Sequence, residues 1–95
     1  MFYKISVAGT GATAGAASAR VAIPNDSTGS RAKHLLVTVA GNTYIQPGDS
    51  SVDATTSSAI AAIGVPLMLD VTGHTHIAYL ELAAGQRVTF TPVEM

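Results

Sequence analysis

The feature that most constrains this chain is a rhythm. Its apolar residues come in short alternating runs, and Gly or Pro separates one run from the next about every ten residues. Lys33–Ala40 places Leu35, Val37 and Val39 on one face. Val65–Val71 places Leu67, Leu69 and Val71 together, with Met68 and Asp70 opposite. Thr75–Leu82 alternates again, and Arg87–Val93 directs Val88 and Phe90 to one side. A period of two is that of a strand with one buried face. Phe2–Ala8 shares it through Tyr3, Ile5 and Val7. Arg20–Pro24 shares it through Val21 and Ile23 and is ended by its proline. The remaining turn formers fall between these runs: Asn25–Ser30, Gly41-Asn42 as a hairpin turn into Thr43-Tyr44-Ile45, Pro47-Gly48-Asp49, Thr72-Gly73 and Ala84-Gly85. No amphipathic helix of ten residues is visible. The spacing predicts an all-β antiparallel β-sandwich, jelly-roll-like, of seven or eight short strands.

Two segments fit the rhythm poorly. Residues 9–19 contain only Gly, Ala, Thr and Ser. Such side chains bury too little apolar area to offset their ordering entropy. The segment reads as a flexible connection within a single domain spanning 1–95, or as an arm ordered against a neighbouring chain. Ser50–Ile63 admits a serine-capped helical turn over Ser58–Ile63, an edge strand, or irregular structure, with irregular structure slightly preferred.

Length and composition narrow the function. A chain of 95 residues is one small domain with a modest core, which oligomerisation would reinforce. Cysteine is absent, so disulfides and thiolate metal sites have no part. The net charge is −1 and the five basic residues are scattered, which points away from nucleic acid. No apolar run is long enough to span a membrane, and no basic segment leads into an apolar one as a secretory signal would require. Charged residues make up 12% of the chain, about half the usual ~25%. An exterior of Ser, Thr, Asn and backbone is poorly protected against association. Much of it is therefore expected to be covered by other subunits.

Three patterns invite a chemical reading. Gly9-x-Gly11-x-x-Ala14 after an apolar run has the spacing of a dinucleotide-binding turn. That turn needs a helix behind it, and here Arg20-Val21 follows after about nine residues, too few for a βαβ crossover of ~30 residues. No cofactor is expected. Asp70, Thr72, His74 and His76 share parity, so Asp70, His74 and His76 are the metal-site candidates, with His34 as a ligand only if the fold brings it near. Gly73 between them argues for a turn, and histidines beside a turn are more often polar rim residues. The carboxylates Asp26, Asp49, Asp53, Asp70, Glu81 and Glu94 single out no acid/base pair, and no serine sits in Gly-x-Ser-x-Gly. The residues assemble no catalytic constellation, so no enzyme is expected.

The last third, VPLMLDVTGHTHIAYLELAAGQRVTFTPVEM, resembles the C-terminal part of small virion proteins of tailed bacteriophages. There a pLxLDVtG strand precedes tHIAyL, a glycine turn and a terminal vtfTPvE. Residues 35–46, LLVTVAGNTYIQ, resemble an earlier hairpin of such proteins. The likeness covers about two thirds of the chain, and residues 9–19 lie outside it. It implies a capsid decoration or cement protein, made in the host cytoplasm and carried on the capsid exterior, with the major capsid protein and itself, as a homotrimer, for partners. It carries over no catalytic residue. The alternatives are a neck or tail structural protein of the same fold, a host- or carbohydrate-binding module, which the shortage of aromatics disfavours, and a metal-dependent enzyme using Asp70, His74 and His76.

Overall fold

A computed structural model describes residues 4–82 and 86–94. They form eight strands and no helix: β1 (Thr10–Thr13), β2 (Ala19–Ala22), β3 (His34–Val39), β4 (Thr43–Gly48), β5 (Ala59–Ala61), β6 (Leu67–Asp70), β7 (His76–Glu81) and β8 (Arg87–Val93). The strands make two four-stranded antiparallel sheets, ordered β1-β8-β3-β6 and β2-β7-β4-β5. The pairs β1–β8, β2–β7, β3–β6 and β4–β5 are those of one long hairpin rolled on itself, the pattern of a jelly roll. The expected all-β sandwich is what the chain folds into.

The alternating residues face one another across the two sheets. Leu35, Val37, Val88 and Phe90 come from the first sheet; Ile45, Ala61, Ile77 and Tyr79 come from the second, and all are buried. The rings of Tyr79 and Phe90 bridge the layers with centroids 5.9 Å apart and planes tilted by 44°. Leu67, Leu69, Val21 and Val39 close the margins of this core. Thr43 is a buried polar residue among them, and its hydroxyl donates to the Gly41 carbonyl at 2.9 Å. A buried hydroxyl satisfied in this way avoids the desolvation cost of an unpaired one.

Four features depart from the sequence reading. The 9–19 stretch, expected as a flexible connection, contains β1. This strand pairs with β8 in the register Thr10↔Phe90 to Thr13↔Arg87, and Ala14 behind it is buried. Of the expected strand 2–8, Phe2 and Tyr3 lie outside the described residues. The described part makes one bridge, Lys4 with Glu94, with a 2.7 Å bond in each direction, and Ile5 is 51% exposed. Gly41-Asn42 is not a hairpin turn. It carries the chain from β3 in the first sheet to β4 in the second, and neither residue has the positive φ of the tight hairpin turns. Asn42 instead ties loops together: its carbonyl accepts from Leu82 N–H at 3.1 Å and its Oδ1 from Ile63 N–H at 2.9 Å. Within Ser50–Ile63 the preferred irregular structure holds except at Ala59–Ala61, which form an edge strand, and no helical turn forms over Ser58–Ile63. The Ala84-Gly85 turn lies outside the described residues.

Residues 49–58 form a strap over the outside of the second sheet. The Ser18 hydroxyl accepts from Ala54 N–H at 2.8 Å, Arg20 donates to Val52 O at 3.0 Å and pairs with Asp53 at 3.3 Å, and the Ser58 hydroxyl bonds Gln46 Oε1 at 3.2 Å. Beneath it Ala78 is fully buried although its neighbours Ile77 and Tyr79 already fill the inner face.

The strand-end loops on the strap's side share a local device. Asp26 Oδ1 accepts from the Thr28 hydroxyl and N–H, Asp49 Oδ1 from the Ser51 hydroxyl and N–H, and Asp70 Oδ1 from Thr72 N–H at 3.0 Å. These are aspartate turns. The bonds hold each carboxyl below its ordinary pKa: the Thr28 hydroxyl foremost for Asp26, the Ser51 hydroxyl for Asp49, the Thr72 N–H for Asp70. Glu94 is lowered likewise, first by the Ser27 hydroxyl at 2.8 Å. A depressed carboxylate stabilises the fold above its unfolded pKa and loses that contribution as pH falls through the folded value. The contribution of these carboxylates is therefore expected to be lost as pH falls below about 4. Urea melts at stepped pH check this, and a midpoint that rises on acidification would contradict it.

Candidate interaction surface

The metal candidates do not converge. Asp70 ends β6 in the first sheet, whereas His76 opens β7 in the second, paired with Gly48 and Ala22. Gly73, at φ +85°, turns the chain between them, and His74 N–H donates to Val71 O at 3.0 Å. Equal parity therefore does not mean a shared face here. His34 lies opposite Asp70 in the β3–β6 ladder, and its charge, with that of His74, makes the smallest contributions to the lowered Asp70 pKa. His76 turns its Nδ1 to the Thr75 hydroxyl at 2.9 Å. No group of three His, Asp or Glu side chains among the described residues is arranged to hold a metal ion.

The glycine pattern at Gly9 and Gly11 also has a packing cause. A Cβ on Gly9 would overlap the Phe90 carbonyl, and one on Gly11 the Arg87 guanidinium. The glycines let this strand lie close against β8. No helix follows them, so the N-terminus that would cradle a pyrophosphate is absent from the described residues.

Among the described residues, the structure instead leaves apolar surface at one end of the second sheet. The ladder sets Ile60, Tyr44 and Leu80 side by side across β5, β4 and β7. Their parity is opposite to that of the core residues Ile45, Ala61 and Tyr79, so they face outward. Ile60 is 49% exposed, and Tyr44 and Leu80 are half-buried. Leu82 (45% exposed) and Ile63 (60%) continue the patch, both held to Asn42. The strap covers the other end of the same face, and the ion pair Arg20–Asp53 lies there. Neither β4 nor β5 has a charged residue, and from Ala54 to Leu69 the chain has none. Around the β5–β6 connection, Val65 is 63% exposed and, with Pro66, Ala62, Thr38 and Val39, lines a shallow depression of about 190 Å³.

Sequence reasoning did not single out this patch. Two signals for it were present: Tyr44 and Leu80 occupy the outward phase of otherwise regular alternations, and the stretch 54–69 is free of charge. Which strands lie side by side was needed to join them.

No family model, curated protein or solved structure matches the chain.

Proposed function

We propose that this protein is a structural component of a phage virion, a decoration or cement protein that binds the outside of the capsid shell. The observation that carries the reading is the likeness of residues 65–95, with 35–46, to small virion proteins of tailed phages. Those residues supply β3, β4, β6, β7 and β8 and most of the core.

The exterior supports the same reading. A charge-poor surface with exposed Ile60, Ile63, Val65 and Leu82 suits burial against another protein. The open edges of β1, β2, β5 and β6 offer backbone groups that a partner chain can pair with. The mechanism is mechanical. Each copy spans a joint between major capsid protein subunits and, by binding only the assembled state, raises the free energy needed to separate them. Many copies on one shell compensate for a weak single contact.

Quantitative mass spectrometry of purified particles tests this. Copies comparable in number to the major capsid protein are expected, and particles that lose the protein should open at lower temperature. Absence from virions, or presence at the stoichiometry of a single ring, would refute the cement role.

A further inference from the structure

We propose that β1 has two registers on β8, the one seen in the structure and a minor one advanced by two residues, and that residues 5–9 store the slack for the shift. The pairing itself carries the mismatch. Thr10 lies opposite Phe90, and Lys4 opposite Glu94. Five residues, 5–9, therefore face three, 91–93. The two extra residues make a wide bulge in which Ile5, Ser6 and Ala8 are exposed. Gly9 marks its edge. In a regular ladder a Cβ stands out of the sheet, whereas one on Gly9 would point into the Phe90 carbonyl of the paired strand. The chain leaves the ladder there.

Straightening the bulge leaves the Lys4 end in place. If Lys4 keeps its two bonds to Glu94 and the chain runs on in that register, Ala8 meets Phe90, Thr10 meets Val88 and Gly11 meets Arg87. β1 then advances about 6.7 Å along β8. A shift of two keeps every side chain on its own face, and glycine-rich strands are those whose register is weakly specified. The sequence of residues 9–14, Gly-Thr-Gly-Ala-Thr-Ala, makes the exchange mild. Gly9 takes the place of Gly11, where a side chain would overlap the Arg87 guanidinium, and Ala12 takes the buried place of Ala14. The Ala12 N–H replaces that of Ala14 as donor to Gln86 O, and Thr13 O replaces Gly15 O as acceptor from the Glu81 N–H. The slack passes into residues 14–18, ahead of the Ser18 bond to Ala54. One exchange is unfavourable: Thr10 comes to the place of Ala12, which packs against the core. That makes the register seen in the structure the major one. The bulge and the 14–18 loop, at opposite ends of β1, thus lengthen and shorten in opposition while β1 stays paired. A partner that grips one end biases the other. The inference does not depend on the virion reading.

Disulfide trapping in the full chain tests it, since the chain has no cysteine of its own. Arg87→Cys is combined in turn with Thr13→Cys, the register seen in the structure; with Gly11→Cys, the proposed one; and with Gly15→Cys, the same shift in the opposite sense. Thr13 faces Arg87, whereas Gly11 and Gly15 are each two positions away and too far to bridge without a shift. Arg87→Cys also removes the guanidinium that a side chain at Gly11 would meet. Closure is followed in dilute solution by non-reducing electrophoresis and peptide mapping. The Thr13 pair should close fastest. The Gly11 pair should close roughly ten- to a thousandfold more slowly, as for a minor state populated at ~0.1–10%, and the Gly15 pair more slowly again. Deleting Ser6 and Val7 removes the slack, so it should slow the Gly11 pair and spare the Thr13 pair. Circular dichroism verifies that the reduced variants are folded. Should an Arg87 variant unfold, or the Thr13 pair fail to close, Val88→Cys with Ala12→Cys, Thr10→Cys or Ala14→Cys repeats the comparison one position along. No closure of the advanced pair, equal closure in both senses as strand unpairing would give, or closure indifferent to the deletion would overturn the proposal.

Discussion

Replacing Phe90 by alanine is expected to lower the free energy of unfolding by about 3–5 kcal/mol. The ring has no exposure to solvent. It sits on the central strand β8 of the first sheet, with Val37 opposite on β3 and Thr10 on β1. Across the layer it meets the tilted ring of Tyr79. Two costs therefore add: the transfer free energy of the ring, and a cavity between sheets that the flanking strands hold apart. The antiparallel ladders on both sides of β8 restrict the collapse that would refill it. Against a total stability of about 5–15 kcal/mol for a domain, this loss removes a large share. Urea denaturation followed by circular dichroism measures it. A loss below ~1.5 kcal/mol, the range of volume-conserving swaps, would show that the two sheets do not pack around this ring.

The inward positions of β3, β6 and β8 were legible because each of these strands turns alternate residues to the core, so burial writes the period directly into the sequence. The pairing was not legible. In a rolled hairpin β1 meets β8 and β2 meets β7, and nothing local in Ala19–Ala22 marks His76–Tyr79 as its partner. Gly41-Asn42 shows the same limit. The dipeptide has hairpin chemistry, but the strands it joins are claimed by other partners, β8 and β6 for β3, β7 and β5 for β4, and these long ladders outweigh a local turn preference. Burial on both faces can also hide the period: Ala78 is buried under a strap whose path follows from Ser18, Arg20 and Gln46, three residues distant in sequence from most of it. The loss of shared parity among Asp70, His74 and His76 was legible, because Gly73 reads as a turn. Parity is defined along one strand, and the turn at Gly73 sends Asp70 and His76 into different sheets.

The segment least legible in the sequence also gives the sharpest test of the fold. Gly→Ala ordinarily stabilises a protein by about 0.4–1 kcal/mol, since alanine restricts the unfolded chain, provided the folded site accepts a methyl group. Gly15 meets that condition. Its φ is not positive, and nothing lies within 4 Å of the position a Cβ would take. Gly15→Ala should therefore stabilise by that amount. At Gly9 a Cβ would run into the Phe90 carbonyl and stand 2.7 Å from Thr91 Cα. These are backbone atoms of the central strand and cannot swing aside as a side-chain terminus would. The methyl group must push β1 away from β8, at the cost of about 1–3 kcal/mol typical of overpacking, which outweighs the entropic gain. Gly9→Ala should thus destabilise by about 1–2 kcal/mol, and amide exchange in Thr10–Thr13 should accelerate more than exchange in β4 or β7. Opposite signs at two glycines six residues apart separate a paired strand from a loose connection. A flexible 9–19 segment would be restricted alike in the folded and unfolded states and would give almost no change at either position, and that result would remove β1 from the fold.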